Sequence, residues 1–355
     1  MRIGLTLYGS LEGRSGGFHY DRKLLERLRA AGDTVEVVEL PWRSYPRGML
    51  DNVSRTVRDR LDVDVDVMLQ DELAHPSLFR TNRHLPYPIV SIVHHLRASE
   101  SRRLSPLYRA VEGRYLGSVD GVVCNSAVTR EVVTGLGVDP ETTVVAPPAG
   151  DRFDPEIDDE TIERRTRERP LRLVFVGNVT PRKGLKTLVS GLAEADADAE
   201  LTVVGRPLDE RYVGDVRRLI RRYDLGDRIR LAGECSDEEL AATLRSSHVL
   251  AVPSRYEGFG IVYLEGMSFG LPAIASRAGG ARETVTDGEN GFLVDPDDPA
   301  AIARAIERVD RDRDRLAEMG RAARRRYERH PGWTETAARV RKLLEASVSG
   351  AEATA

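Results

Sequence analysis

The stretch Ser254 to Gly270 reads S-R-Y-E-G-F-G-I-V-Y-L-E-G-M-S-F-G, and the fold turns on it. An apolar run, Val249 to Val252, precedes it and ends at Pro253, as a short buried strand would. Gly258 and Gly260 then permit a tight turn and a close approach of the backbone to a ligand. From Ile261 the pattern becomes helical, with Ile261, Leu264 and Met267 (or Phe269) on one side, and Gly270-Leu271-Pro272 ends it. Strand, glycine turn and helix form the half-unit with which open α/β sheets hold phosphates, because the helix N-terminus aims free N–H groups at an anion.

Two carboxylates frame this turn: Glu257 in the loop and Glu265 eight residues on, in the second helical turn. Neither belongs in a core unless paired. Glu265 stands where a carboxylate accepts two hydrogen bonds from a ribose, as in dinucleotide sites. Glu257 then lies beyond the phosphates, near the group they carry. The bland alternative is two surface glutamates around a structural turn.

E-G-F-G-x-x-x-x-E, Glu257 to Glu265, resembles the signature of the retaining, nucleotide-sugar-dependent glycosyltransferases of family 4. The resemblance implies an α/β chain with the GT-B fold: two facing Rossmann-like domains with a cleft between them and a C-terminal helix returning to the first domain. It implies donor-sugar contact for Glu257, ribose contact for Glu265, and a donor-binding turn at Gly258, Phe259 and Gly260.

Bulk properties agree with two domains. At 355 residues the chain exceeds one ordinary core. Its 53 basic and 57 acidic residues, net -4, do not advertise nucleic-acid binding. Cys124 and Cys235 are far apart with no C-x-x-C, which fits a reduced compartment without zinc or disulfide scaffold. The opening M-R-I-G-L-T-L-Y-G-S is too short an apolar run for a signal peptide and reads as a strand. No run of about 18 apolar residues exists to span a membrane. These readings place the protein in the cytoplasm, with a peripheral contact at the inner membrane face as a further expectation.

Along the chain, Ile3 to Tyr8 reads as a strand before a loop ending in Gly16-Gly17. The loop lacks G-x-G-x-x-G spacing, so no dinucleotide fingerprint is present. The Gly16-Gly17 pair is similar to one that family 4 places near donor phosphate or acceptor; a plain flexible turn reads equally well. Asp62, Asp64 and Asp66 invite comparison with a D-x-D metal motif, but their alternation runs into an apolar strand and reads as a solvated strand entry. No metal site is expected, and no cofactor beyond the nucleotide-sugar substrate. Ile89 to Val93 is an apolar strand with His94-His95 at its carboxyl end, where open α/β sheets bind ligands. A His there can titrate, donate or stack on a sugar; the resemblance gives that role to His94, and a capping or core histidine is the alternative.

Ser77 to Ser118 holds seven Arg against two Glu. Arg97, Arg102, Arg103 and Arg109 interleave with apolar residues, which suits anionic lipid headgroups or a phosphorylated acceptor, or else an ordinary solvated helix face. The turn Pro147-Pro148-Ala149-Gly150 and the charged run Asp154 to Pro170 read as an interdomain linker. The expected organisation is an acceptor-binding domain at 1–168, a nucleotide-sugar-binding domain at 169–332, a crossover helix at 333–347 and a disordered tail at 348–355.

Leu171 to Gly177 opens the second unit, followed by G-N-V-T-P-R-K-G. This is not a P-loop, since no Gly precedes the Lys and no Ser or Thr follows it. A cation beside a helix N-terminus still clamps a diphosphate. The family pattern is G-R-x-x-x-x-K-G; Lys183 matches its lysine, whereas Asn178 stands at the arginine position. Either Arg182 supplies the second charge or the leaving group is held more weakly. Gly279-Gly280 with Glu283 resembles the family's G-G-x-x-E segment, whose backbone amides approach the donor sugar and phosphate.

The expected reaction, implied by the resemblance, is glycosyl transfer from a UDP- or GDP-linked sugar to a hydroxyl with retention and without a metal. The acceptor is a glycan, a lipid, a lipid-linked sugar or a small metabolite. A GT-B nucleotide-sugar epimerase and a non-catalytic nucleotide-sugar-binding paralogue stay open. A nicotinamide-dependent oxidoreductase is disfavoured by the missing fingerprint.

Overall fold

The computed structural model describes residues 1–13, 15–100 and 105–352. Among them the chain forms two compact α/β units, Met1–Ala149 with Pro331–Ala355 and Gly150–His330. Each unit is built on a six-stranded sheet.

The first sheet uses β1 (Arg2–Tyr8), β2 (Thr34–Leu40), β3 (Val67–Asp71), β4 (Ile89–Val93), β5 (Gly121–Cys124) and β6 (Thr143–Val145), in the order β2-β1-β3-β4-β5-β6. The second uses β7 (Leu171–Val176), β8 (Ala199–Val204), β9 (Ile229–Gly233), β10 (Val249–Val252), β11 (Ala273–Ser276) and β12 (Gly291–Val294), in the order β12-β11-β10-β7-β8-β9. The strand pairings within both sheets are parallel. Parallel strands covered by helices on both faces read as continuous apolar runs, and that is why β4 and β10 are buried along their whole length.

Both orders reverse direction inside the sheet. Such switch points leave a crevice at the carboxyl ends of two adjacent strands, where ligands bind. In the first unit the crevice lies at β1 and β3, in the second at β7 and β10.

Two expectations are corrected. The charged run after Gly150 is not a linker: Asp159–Thr166 is a helix, and Phe153, Ile157 and Ile162 sit in the second core. Ile162 is fully buried, so this one apolar side chain in a charged helix docks the whole segment. The tail is not disordered over its described part either, because the last helix continues from Trp333 to Glu352. Trp333, Ala337, Val340 and Leu344 of that helix pack in the first core at helical spacing.

Candidate active site

The second unit's site begins with two loops stitched together at the switch point. Gly184, after β7, has φ +71, and a Cβ on it would lie 2.1 Å from the carbonyl oxygen of Pro253, after β10. Arg255 N–H donates to the Arg182 carbonyl at 2.7 Å. This close approach needs glycine, both for the positive φ and for the missing side chain. It brings Lys183 against Glu257.

Lys183 Nζ donates to Glu257 Oε1 at 2.6 Å. Ser254 Oγ donates to the same oxygen at 2.6 Å, and Arg182 Nη1 reaches Glu257 Oε2 at 3.3 Å. Burial alone would push this carboxyl up, but Lys183, Arg182 and Ser254 outweigh it and hold Glu257 down at about 2. Arg182 also donates to the Tyr256 carbonyl at 3.1 Å, so it is tied to the β10 loop.

Glu265 lies on the helix Ile261–Ser268, which Gly260 opens with φ 89. That helix is buried on nearly every face, and Glu265 is buried with it. Its cation is Arg152, whose Nη1 lies 3.6 Å from Glu265 Oε1 while Nη2 donates to Asp237 at 2.6 Å. Burial still wins, so the Glu265 carboxyl sits above the usual range despite Arg152. Nothing in the residues around Arg152 announces this role; it depends on a contact made across the folded unit.

The remaining turn residues divide. The Phe259 side chain is core, packed against the His330 ring at 5.6 Å, so a ligand would meet its backbone. Cβ atoms on Gly279 and Gly280 would lie 2.1 Å from the carbonyl oxygens of Glu257 and Gly258. These glycines let the β11 loop press against the β10 loop, and the Gly280 N–H is spent on the Glu257 carbonyl at 2.8 Å. It is therefore not free for a donor phosphate, in contrast to what the resemblance implies for this amide. Asn178 lies half-buried just after β7.

In the first unit the switch point holds His94. A Cβ on Gly17 would meet His94 Cδ2 at 3.0 Å, so the Gly16-Gly17 opening of the helix Gly16–Ala30 lies against this ring. His94 Nε2 is 3.3 Å from Asp21 Oδ1, and Glu72 Oε2 accepts the His94 backbone N–H at 3.1 Å. Burial favours the neutral ring, but Glu72, Asp21 and Asp71 together hold it protonated, up to about 10. At neutral pH His94 is thus a cationic donor, not a base.

Asp21 and Asp71 are fully buried, and each keeps one oxygen without a hydrogen-bond partner. Burial, with Glu72 and Asp21 close by, pushes the Asp71 carboxyl well up. The His94 cation opposes this rise. Asp21, Asp71 and His94 offer ligand atoms within 4.8 Å of one another, the one group among the described residues whose geometry suits a metal; its histidine nitrogen is engaged with Asp21. Sequence reading missed both aspartates. The signal was present, since Asp21 lies on the same stripe as Phe18, Leu25 and Leu28 and Asp71 ends an apolar strand. The Asp62-Asp64-Asp66 run, read as a strand entry, pairs Asp64 and Asp66 with Arg2 at the other end of the sheet.

Arg97 and Arg109 are exposed, with Arg97 stacked over the rings of Tyr45 and Tyr108 at 5.4 and 5.7 Å. Arg102 and Arg103 lie outside the described residues. No helix among the described residues is long and apolar enough to cross a membrane.

Comparison with known proteins agrees with this fold. D-inositol 3-phosphate glycosyltransferases of Geodermatophilus obscurus and Xylanimonas cellulosilytica are 32% and 33% identical over 75% and 71% of this chain, which spans 62% and 64% of their lengths. Sucrose-phosphate synthase from Thermosynechococcus elongatus shares the fold at a TM-score of 0.82 and 23% identity, over 98% of this chain and 99% of that one. Anabaena HepE, solved with UDP-glucose, does so at 0.79 and 18%, over 98% and 100%. The architecture is GT-B. The model of glycosyltransferase family 4 matches residues 14–151 and that of glycosyl transferases group 1 matches residues 157–326, one in each unit, and the chain belongs to this glycosyl transferase family.

Proposed function

We propose that the protein transfers a sugar from a nucleoside diphosphate sugar to an acceptor hydroxyl, with retention at the anomeric carbon and with no need of a metal. The observation that carries this reading is the Lys183–Glu257 contact at the β7/β10 switch point, with Glu265 on the helix that follows. The second unit takes the donor and the first the acceptor. Glu265 accepts the ribose hydroxyls, Glu257 meets the donor sugar, and Lys183 meets the β-phosphate.

In the step itself the anomeric C–O bond to the β-phosphate breaks and the acceptor oxygen bonds to the same face. The acceptor proton passes to the departing phosphate oxygen. Charge grows on the nucleoside diphosphate, where a preorganised cation stabilises it. Two carboxyls flanking the bond would suit hydrolysis instead. Here Glu257 is held ionised by Lys183 and Arg182, which removes it as a proton donor. His94, held cationic, suits a hydrogen bond to a sugar or acceptor oxygen.

HepE complexes contain UDP and UDP-glucose, which supports a uridine donor, with a GDP-linked sugar as the other choice. The relatives' names point to inositol 3-phosphate as the first acceptor to try. The test combines UDP-, GDP- and ADP-sugars with that acceptor or a membrane extract, with EDTA present, and reads products by mass spectrometry and anomeric configuration by NMR. Transfer with retention supports the proposal. Free sugar without acceptor would point to an epimerase, donor binding without turnover to a non-catalytic paralogue, and loss of activity in EDTA would remove metal independence.

A second reading places the reaction in the cytoplasm at a membrane surface. Trp42, Leu50, Val53 and Leu107 of the first unit are at least half exposed, and Arg97 and Arg109 are exposed as well. Basic and apolar side chains together suit anionic lipid. Flotation with acidic liposomes at low salt checks it; absence of the protein from the lipid fraction ends it.

A further inference from the structure

We propose that Arg206, on the loop after β8, is the second cation of the diphosphate site and does the work of the arginine that Asn178 replaces. The inference rests on the donor-binding reading above.

The other cations around the switch point are committed. Lys183 and Arg182 hold Glu257, Arg152 holds Glu265 and Asp237, and Arg255 pairs with Asp297. Arg206 differs. Among the described residues its guanidinium has no hydrogen-bond or ion-pair partner, and its Nε is buried without an acceptor. A buried guanidinium N–H left unpaired is costly, and native proteins rarely keep one without a use.

Its position supplies the use. Residues 205–207 lie directly against the loop that should carry the family arginine. Val179 N–H donates to the Arg206 carbonyl at 2.9 Å, and Val179 bridges to Pro207. A Cβ on Gly205 would lie 1.9 Å from the Gly177 carbonyl oxygen and 3.3 Å from the Asn178 nitrogen, so glycine is what lets the two loops touch. On its other flank Gly177 faces Lys183, whose Nζ lies 3.7 Å from the position of a Gly177 Cβ. Lys183 and the Arg206 backbone therefore both border the Gly177–Val179 segment, at the carboxyl ends of neighbouring strands β7 and β8. Arg206 approaches from the β8 side, where the nucleoside end of a diphosphate would lie if Lys183 takes the sugar end. Guanidinium matches a phosphate bidentately, and its planar fork is suited to this task.

The test is calorimetric titration with UDP, GDP, ADP and the matching free nucleosides. Wild type is compared with Arg206→Gln, Arg206→Lys, Arg182→Gln and the double variant Asn178→Arg/Arg206→Gln, each checked for an unchanged melting temperature. Arg206→Gln should weaken the preferred nucleoside diphosphate roughly tenfold or more, with nucleoside affinity unchanged. Arg206→Lys should fall in between, and Asn178→Arg should restore affinity to Arg206→Gln. If wild type binds a nucleoside diphosphate and Arg206→Gln binds it equally well, Arg206 has no such role while the donor reading stands. Equal losses for nucleoside and diphosphate would make Arg206 a base contact and overturn the proposal. Should wild type bind none of the three diphosphates, the donor reading itself falls and this inference with it. If Arg206→Gln melts lower, Arg206→Lys decides: a stable Lys variant that loses diphosphate affinity relative to nucleoside supports the phosphate contact, and wild-type affinity, or an equal loss for both, refutes it.

Discussion

Lys183 Nζ and Glu257 Oε1 lie 2.6 Å apart, 74 residues distant in sequence, and both side chains are largely buried. The group assigned to the leaving phosphate and the group assigned to the sugar thus neutralise each other. On the proposed reading a donor would insert between partners that are already paired and aligned.

Removing one partner of a buried pair costs more than removing both, because the survivor stays charged and dry. Lys183→Met should lower stability by about 3 kcal/mol. The double variant Lys183→Met/Glu257→Gln should recover part of that loss in urea unfolding. Both single variants should also turn over at least about tenfold more slowly. Additive stability losses, or wild-type turnover in either single variant, would contradict this pairing.

Acid stability follows from the same contact. The folded Glu257 carboxyl sits at about 2, below its ordinary value, so the stability it contributes is present above the unfolded value and is lost as pH falls through about 2. Melting curves of wild type and Glu257→Gln should diverge most above about pH 5 and converge toward pH 2. A constant gap across that window would count against it.

His94 carries the opposite sign. Its folded value is raised to about 10, so its contribution is complete below the ordinary histidine range and is lost as pH rises through about 10. The groups that face it are Asp21, Glu72 and Asp71, with the Tyr20 ring packed edge-on at 5.1 Å. The melting-temperature deficit of His94→Gln should therefore shrink between pH 7 and pH 10. A deficit that stays constant or widens over this interval would count against a cationic ring in the fold.

Arg152 has a different consequence, since the Glu265 carboxyl already sits above its usual range. Arg152→Met removes the cation that opposes burial and raises the carboxyl further. Only the ionised form accepts two ribose hydroxyls, so nucleotide affinity in this variant should improve from pH 6 to pH 8.5 more steeply than in wild type. Parallel pH profiles by calorimetry would sever Glu265 from the ribose.

Gly184→Ala tests the stitch between the loops. With φ +71 and only 2.1 Å from the added Cβ to the Pro253 oxygen, the variant must open the β7–β10 contact. Expected are a stability loss of about 1–3 kcal/mol and weaker nucleotide binding. Unchanged melting and affinity would mean that the loops are not held as described.

Much of this architecture is written locally. β4, β10 and β11 coincide with apolar runs, because a strand covered on both faces needs little but apolar residues between turn signals. The turn at Gly258 and Gly260 and the helix after it are legible from glycine spacing and helical periodicity, and Glu257, Glu265 and Lys183 are singled out by the family resemblance. Which charge answers which is not. Lys183 meets Glu257 because β7 lies beside β10, and His94 meets Asp21 across 73 residues because its strand and helix converge on the first sheet's switch point. Strand order is a property of the assembled sheet, since hydrophobic periodicity reports that a strand is buried but not which neighbour it has. Arg152 and Arg206, ordinary arginines in the sequence, acquire their meaning from the same source: one is drawn to a buried carboxylate, and the other keeps a buried Nε without a partner among the described residues, beside the loop of Asn178.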